Sequence, residues 1–475
     1  MEKNNTGNEF NRVLSTLDVL VVAFGAMIGW GWVVASGQWI ETGGVIGAAL
    51  GFVIGGIMIY FVGLTYAELT TAMPKCGGEQ HFSFTAFGPL GSFICTWALI
   101  LSYVGVVAFE ACSFPTILQY IFPEIQKGYL YTIAGFDVYL SWVLIAVAMA
   151  VFITYINIRG TKKAARLQTI LTITIAVVGI ILIAASAFSG TADNITSHPF
   201  EGETSSAMMW NVLKVAIMTP FFLLGFDVIP QAAEEIKVPL KKLGGLMILS
   251  IVLAVAFYAL IVLAIGAVMT PAQIEESMGT TGLVTADAMA VAFGSKTMAK
   301  VLILGGLCGI VTSWNSFLIG GSRLLYSMSN SRMVPGFFSK LHNKHKTPVA
   351  GLLLLGGISV IAPLLGRAML VWIVDAANFA CCIAYCMVSI SFLVIRKKRP
   401  DMERPYKVNN GQLIGRLAVL MSGMMVVMYI LPGTGCSLTW QEWIIVGGWI
   451  VMGALFGIVS KLHYKDRFAS GMIIY

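Results

Sequence analysis

The sequence predicts an all-α integral membrane protein with twelve transmembrane helices, and three observations lead there. The chain of 475 residues is 57% hydrophobic and only 11% charged, where a soluble domain carries about 25% charged residues. Apolar stretches of about 18 residues or more, each long enough to span a bilayer, recur along nearly the whole chain. Two of them are interrupted at membrane depth. One break is Gly25-Ala26-Met27-Ile28-Gly29-Trp30-Gly31; the other lies around Leu224-Gly225-Phe226-Asp227, with Pro230 just beyond.

In chain order, the candidate helices lie near residues 14–38, 44–71, 88–121, 136–158, 164–188, 210–235, 242–269, 297–328, 348–364, 368–395, 413–431 and 440–462. Met1 to Arg12 is polar, and the apolar segment after it is too long for the core of a cleavable signal, so that segment is expected to direct insertion. An even number of spans puts both termini on one side. Calling that side cytoplasmic collects most of the thirty Lys and Arg residues there, in Lys3 and Arg12, Lys75, 159–166, 237–242, 323–346, 396–416 and 461–467. Only Lys127, Lys296, Lys300 and Arg367 fall outside, while Lys214 enters a span and is expected to snorkel. This asymmetry is the positive-inside pattern of a multi-pass cell-membrane protein with cytoplasmic termini. The net charge of +7 forms no single patch, so no nucleic-acid partner is expected; the partner is the lipid bilayer.

The connectors agree. Ser189 to Ser206 and Thr270 to Thr281 contain no basic residue and read as outer loops, while Pro400 to Asn410 is a long basic connector. The expected domains are a tail at 1–13, a five-helix repeat at 14–188, a second at 210–395, two added helices at 413–462 and a tail at 463–475. Five spans per half give the second half the opposite polarity, as an inverted-topology repeat requires. The cysteines sit mostly inside spans without metal-ligand spacing, and neither a metal nor a cofactor is expected.

Lipid leaves no backbone N–H or C=O unpaired, so helices broken at membrane depth survive only around a protected cavity. Paired breaks in matching positions of two halves point to a solute-binding site. In the first break, glycines at 25, 29 and 31 each cost a helix about 1 kcal/mol against alanine. The unwound turn exposes N–H groups, suited to a carboxylate, at the start of the next half-helix. The carbonyls near Ala26 and Met27 would face an ammonium. A plain glycine-lined helix contact is the alternative there, and it is the preferred reading of Gly43, Gly44, Gly51, Gly55 and Gly56. Asp227, costing about 2.5–3.5 kcal/mol at the midplane on insertion scales, either bonds the freed N–H groups of its own break or contacts substrate.

Phe222-Leu223-Leu224-Gly225-Phe226-Asp227, followed by Ala232-Ala233-Glu234-Glu235-Ile236-Lys237-Val238-Pro239, resembles the sixth helix of the amino acid–polyamine–organocation permeases. Gly25 to Gly31 resembles their first-helix glycine motif. Ala67-Glu68-Leu69, Met73-Pro74, Gly77-Gly78-Glu79 and Phe87-Gly88-Pro89 resemble the end of their second helix and the start of their third. The resemblance covers about residues 14–395. It implies a five-plus-five inverted-repeat transporter core with helices 1 and 6 broken, working by alternating access on amino acids and related amines. Carried over by position, the carboxylate-binding amides fall on Trp30 and Gly31, and the amine-binding carbonyls on Met27, Phe221 and Leu224. Val106, Phe109 and Trp314 match substrate-contacting or pocket-bordering positions of a member. Two departures stand out. Trp30 replaces a small hydroxylated residue, adding bulk beside the pocket. Thr172-Ile173-Thr174-Ile175 stands where proton-coupled members carry a fifth-helix lysine, leaving lysine-based coupling without its residue.

Glu110 follows Val106 by one turn, on the same helix face. Three roles are open for it: proton coupling, binding a second positive charge of the substrate, or a structural pairing. Asp375 and Asn378 begin a polar strip in the tenth span, as gate or cap. Glu68, Glu234 and Glu235, beside basic loops, read as structural ion-pair partners. No phosphate loop, nucleophile elbow or metal-ligand cluster is present, which argues against an enzyme or an ATP-driven pump. The spans are too apolar to line a channel. The expected function is secondary active transport of an amino acid or related amine, by proton-coupled symport or exchange. Sodium is a second candidate coupling ion, and a non-transporting amino-acid receptor of the same fold is the alternative. Neither the substrate's identity nor the oligomeric state follows from the sequence.

Overall fold

The computed structural model describes residues 10–133, 136–366, 368–465 and 468–469. Lys3, Arg367, Arg467 and most of both expected tails lie outside the described residues. The first apolar segment becomes α1 (Thr16–Met27), α2 (Gly31–Val34) and α3 (Ser36–Gly43). It is followed by α4 (Val45–Ala72) and α5 (Glu79–Ile121), then a hairpin of β1 (Tyr129–Ile133) and β2 (Phe136–Tyr139), paired antiparallel. Next come α6 (Leu140–Ile158), α7 (Thr161–Ser189), α8 (Ala192–Ser197), α9 (Ser205–Phe222) and α10 (Val228–Gln231). The remainder is α11 (Leu240–Val268), α12 (Pro271–Thr280), α13 (Val284–Phe293), α14 (Lys296–Asn330), α15 (Val349–Ile361), α16 (Ala368–Lys398), α17 (Gly411–Ile430) and α18 (Trp440–Tyr464).

Among the described residues, ten helical segments are long and apolar enough to cross a membrane. The two other predicted spans differ for physical reasons: α9 has 18 residues but carries Asn211 and Lys214, and α15 is short. The sixth is divided between α9 and α10 by its unwound turn, and the ninth is α15 plus a 3-10 turn at Ala362–Leu365 carrying Pro363. Several boundaries differ from expectation. Residues 136–139, read as the start of the fourth span, are strand β2. Helices α8 and α12 occupy the two expected outer loops; Thr270 and Gln273 form a capping box that starts α12. Helix α5 is two helical pieces joined at a kink: Gly88 (φ +77°) is non-helical, so the predicted start at 88 marks the second piece and a shorter one from Glu79 precedes it.

Long helices α5 and α14 are buried nearly throughout, whereas α17 and α18 expose most of their length. Leu455, Val459 and Leu462 on α18 are each more than half exposed, an apolar surface suited to lipid. Helix α5 lies between α14 and α16, and α4 packs on α9 and α11. That α4 contact needs small residues: a Cβ at Gly51 would sit 2.7 Å from Val215, and one at Gly55 or Gly56 would collide with Thr219 or Val255. At one end of the bundle Leu14 bridges to Ile236, Phe10 packs edge-on against Tyr326, and Tyr464 approaches Gly336. Both ends of the described chain therefore lie at the same end of the bundle.

Candidate functional site

The two interruptions meet. Ile28 closes α1 by donating to the Phe24 carbonyl (3.0 Å), and helical structure resumes at Gly31. Among the described residues the N–H groups of Gly29, Trp30 and Gly31 find no hydrogen-bond acceptor. These are the orphan donors of a helix start, directed at an anion-sized need. On the other side, α9 ends at Phe222, and the chain turns through Gly225 at φ +141°. A Cβ built on Gly225 would stand 2.5 Å from the Ala26 Cβ and 3.0 Å from the Met27 nitrogen. Only glycine allows this approach, since it alone combines that φ with an absent side chain.

Asp227 is fully buried and braces its own turn. Its Oδ1 accepts from the Gly225 N–H (2.9 Å) and the Tyr385 hydroxyl (3.3 Å), and its Oδ2 accepts from the Tyr103 hydroxyl (2.6 Å). The carboxylate thereby ties the second break to α5 and α16. Tyr103, Val106 and Glu110 fall on one stripe of α5 at helical spacing, a signal in the sequence that would have exposed Tyr103.

Glu110 faces the first break. Its side chain is 3% exposed, and its Oε1 lies 3.3 Å from the Cβ position of Gly29, where Ser313 of α14 also arrives (Oγ 3.4 Å). Ser313 is the hydrogen-bonding neighbour of this carboxyl. Glu110 Oε2 has no partner among the described residues. A buried carboxyl oxygen without a donor is costly, and this carboxyl lies beside the unpaired amides of the first break. The Met27 carbonyl already accepts from Tyr258 of α11 (2.8 Å), so one of its two lone pairs is engaged. Neither Ser313 nor Tyr258 was singled out from sequence, since each looks like an ordinary polar residue of an apolar span.

Other predicted site residues divide. Val106 and Leu224 are buried, and Phe109 and Phe221 are half-buried and pack edge-on with centroids 6.1 Å apart. Gly31 leaves room for the Phe222 ring. Trp30 and Trp314 do not join this cluster in the way expected. The Trp30 ring lies on Gly306 of α14, and Trp314 donates to Ser359 of α15 (3.0 Å). The bulk of Trp30 therefore fills a helix contact with α14.

Behind the first break, where a fifth-helix lysine was missing, the structure has neutral groups. Thr172 and Gln168 of α7 approach Gly25; Gln168 bonds Ser316 (3.0 Å) and Asn315 (2.8 Å), and Asn315 bonds Asn157 (2.8 Å).

The site lies between two closures. On one side a cleft of about 420 Å³ is lined by Trp39, Phe221, Phe222, Asp375, Asn378 and Glu442 among others. Asn378 bonds Tyr429 there, and Lys214 bonds Asn211 (3.1 Å). On the other, Arg323 of α14, 1% exposed, pairs with Glu235 (2.7 Å), and Thr161 of α7 bonds both. The N–H of Val13 donates to the Glu235 carbonyl (2.8 Å). Glu68 holds Arg396 and Arg404, and Glu234 holds Lys75 (3.4 Å).

Comparison with known proteins finds a family and relatives for the chain as a whole. The profile of the family described as amino acid permease matches residues 14–455. The chain is 27% identical over 467 residues to a branched-chain amino acid permease of Bacillus subtilis, covering 96% of this chain and 94% of that protein. It is 26% identical over 471 residues to a methylthioribose transporter of the same organism, covering 95% and 94%. It is 24% identical over 468 residues to that organism's aspartate-proton symporter, covering 96% and 85%.

Proposed function

We propose, from the premise that the chain belongs to the amino acid permease family, that this multi-pass, non-enzymatic membrane permease moves a zwitterionic amino acid by alternating access. The observation that carries the reading is the contact of the two breaks. Unpaired amides at Gly29, Trp30 and Gly31 supply a carboxylate cradle. The carbonyls of Phe221, Leu224 and Met27 supply an ammonium site, Phe221 and Met27 each through the lone pair left beside a bond already accepted, from the Leu224 N–H and the Tyr258 hydroxyl. Val106, Phe109 and Phe221 supply an apolar wall, which suits an apolar side chain like those carried by the branched-chain permease. An acidic substrate such as that of the aspartate symporter would meet the Glu110 carboxyl.

The architecture proposed for this work is twelve spans in a five-plus-five inverted repeat with two added helices, and both termini cytoplasmic. Ten apolar helices, two contacting breaks and the basic end of the bundle support it. Glu110 is proposed to carry the coupling proton. It is the carboxyl beside the first break, whereas the α7 face behind that break is neutral. Protonation would remove its charge from the binding site and link substrate and proton on one helix face.

Two measurements test this. A thermal-shift screen of amino acids identifies the ligand, because a ligand bound to the folded state raises its stability. Flux into proteoliposomes then decides the class: saturable binding with neither accumulation nor exchange would replace the transporter with a receptor. Within transport, Glu110→Gln is expected to remove the pH dependence of uptake. Retained pH dependence would take Glu110 out of coupling, and a loss of affinity for dibasic substrates alone would make it a specificity residue.

A further inference from the structure

Away from the substrate site, the junction of α6 and α7 forms an open cleft of about 770 Å³ lined by Arg159, Lys162, Lys163, Arg166, Lys344 and His345. The five Lys and Arg side chains are exposed and, among the described residues, none is paired with a carboxylate. The one acid lining the cleft, Asp18, is engaged in capping α1 through Ser15 and accepts from Thr169. A solvated positive face would be convex and its charges would spread. Here they converge from two segments, 159–166 and 344–345, onto one concavity. Desolvation first, and then His342, Lys344, Arg159 and Lys163, hold the His345 imidazole below its ordinary range.

Two further features face the cleft. Helix α7 starts there after Gly160 (φ +124°) with no side-chain cap, so its first N–H groups are open to an anion. Beyond the cleft the flank turns apolar: Ile170, Ile173 and Val177 of α7 and Phe152 of α6 are each about half exposed. A free phosphate would use only the first of these surfaces. A phospholipid would use both, with its phosphate among the cations and its acyl chains along the flank. Basic clefts between spans at a membrane surface have this chemistry.

We propose that this cleft is a binding site for the headgroup of an anionic phospholipid. The occupant touches the substrate pathway indirectly. Thr161 and Val13 both line the cleft, and both bond Glu235, the partner of Arg323. Headgroup binding therefore holds the start of α7 against the closure at that end of the bundle. The site does not depend on the transported substrate, so its test does not require flux.

The experiment is native mass spectrometry of the full-length protein, titrated with phosphatidylglycerol, with phosphatidylcholine and with inorganic phosphate. The expected result is retention of phosphatidylglycerol over phosphatidylcholine. The triple variant Lys162→Gln/Lys163→Gln/Arg166→Gln should weaken it about a hundredfold, and Arg159→Gln/Lys344→Gln about tenfold or more. A matched removal of charge elsewhere, Lys237→Gln/Lys241→Gln/Lys242→Gln, should leave it within twofold. Equal weakening by both triple variants would show diffuse surface attraction and overturn the site. Equal retention of the two lipids would also overturn it. Occupancy by inorganic phosphate as strong as that by phosphatidylglycerol would make it a soluble-anion site and overturn the lipid assignment.

Discussion

The contact between the two breaks yields a quantitative prediction for Gly225→Ala. Alanine must hold φ at +141°, a region that costs a residue with a side chain about 1–3 kcal/mol. Its Cβ must also sit 2.5 Å from the Ala26 Cβ and 3.0 Å from the Met27 nitrogen, inside the roughly 3.5–4.0 Å optimum for carbon contacts. Overpacking of that kind adds about 1–3 kcal/mol. The substitution should therefore destabilise the protein by about 2–6 kcal/mol, summed from the two causes. The causes separate in a double-mutant cycle, because Ala26→Gly removes the opposing methyl without relieving φ. The double variant should recover about 1–3 kcal/mol relative to Gly225→Ala alone. Equilibrium unfolding in mixed micelles measures stability, and proteoliposome uptake of the ligand found by thermal shift measures the site. Uptake should fall with Gly225→Ala and return in part with the second change. If Gly225→Ala stays within about 0.5 kcal/mol of the parent, or if the two changes are additive, the breaks are not in the contact described.

Glu235→Gln leaves Arg323 charged and 1% exposed beside a neutral partner. Breaking a buried pair in this way costs about 3–5 kcal/mol, so the melting temperature should drop, and the double change Glu235→Met/Arg323→Met should recover much of it. A parental melting temperature for the single variant would refute the pairing. Tyr103→Phe removes the 2.6 Å donor to Asp227 and leaves the buried Asp227 Oδ2 without a partner among the described residues, at a cost of about 1–3 kcal/mol. Uptake should fall severalfold; unchanged uptake would show that Gly225 and Tyr385 suffice to hold the carboxylate.

What could be seen in advance follows from how locally each feature is encoded. Spans were legible because hydrophobic length is additive along the chain, and the breaks because Gly29, Gly31 and Gly225 weaken a helix where they stand, although Gly25, read as part of the first break, stays inside α1. The hairpin at Tyr129–Tyr139 and helix α13 were not, since short elements outside the apolar runs carry no length signal. Gly88 illustrates a middle case: Gly88-Pro89 reads as a helix start and a helical piece does start there, but the shorter piece from Glu79 that precedes the kink was missed.

Direction is the property the letters hide most completely. Trp30 occupies the same break as Gly29 and Gly31, and its match to a small hydroxylated position of the family put its bulk beside the pocket. Inside a regular helix, adjacent residues differ by a fixed rotation and such a reading can be checked by spacing. Once the turn unwinds, that rule lapses, and the ring goes where a partner has left room, which is Gly306. Glu110 is the opposite case. It sits in regular α5, so its face was fixed by Val106 one turn earlier, and it arrives at Gly29 as that spacing requires. The consequence is specific: the tryptophan departure from the family bears on how the first break packs against α14, while Glu110 and Ser313 are the side chains that reach Gly29. A Trp30→Phe variant should accordingly lower stability through the void left at Gly306 while leaving the substrate ranking unchanged. A changed ranking in the thermal-shift screen would return Trp30 to the pocket.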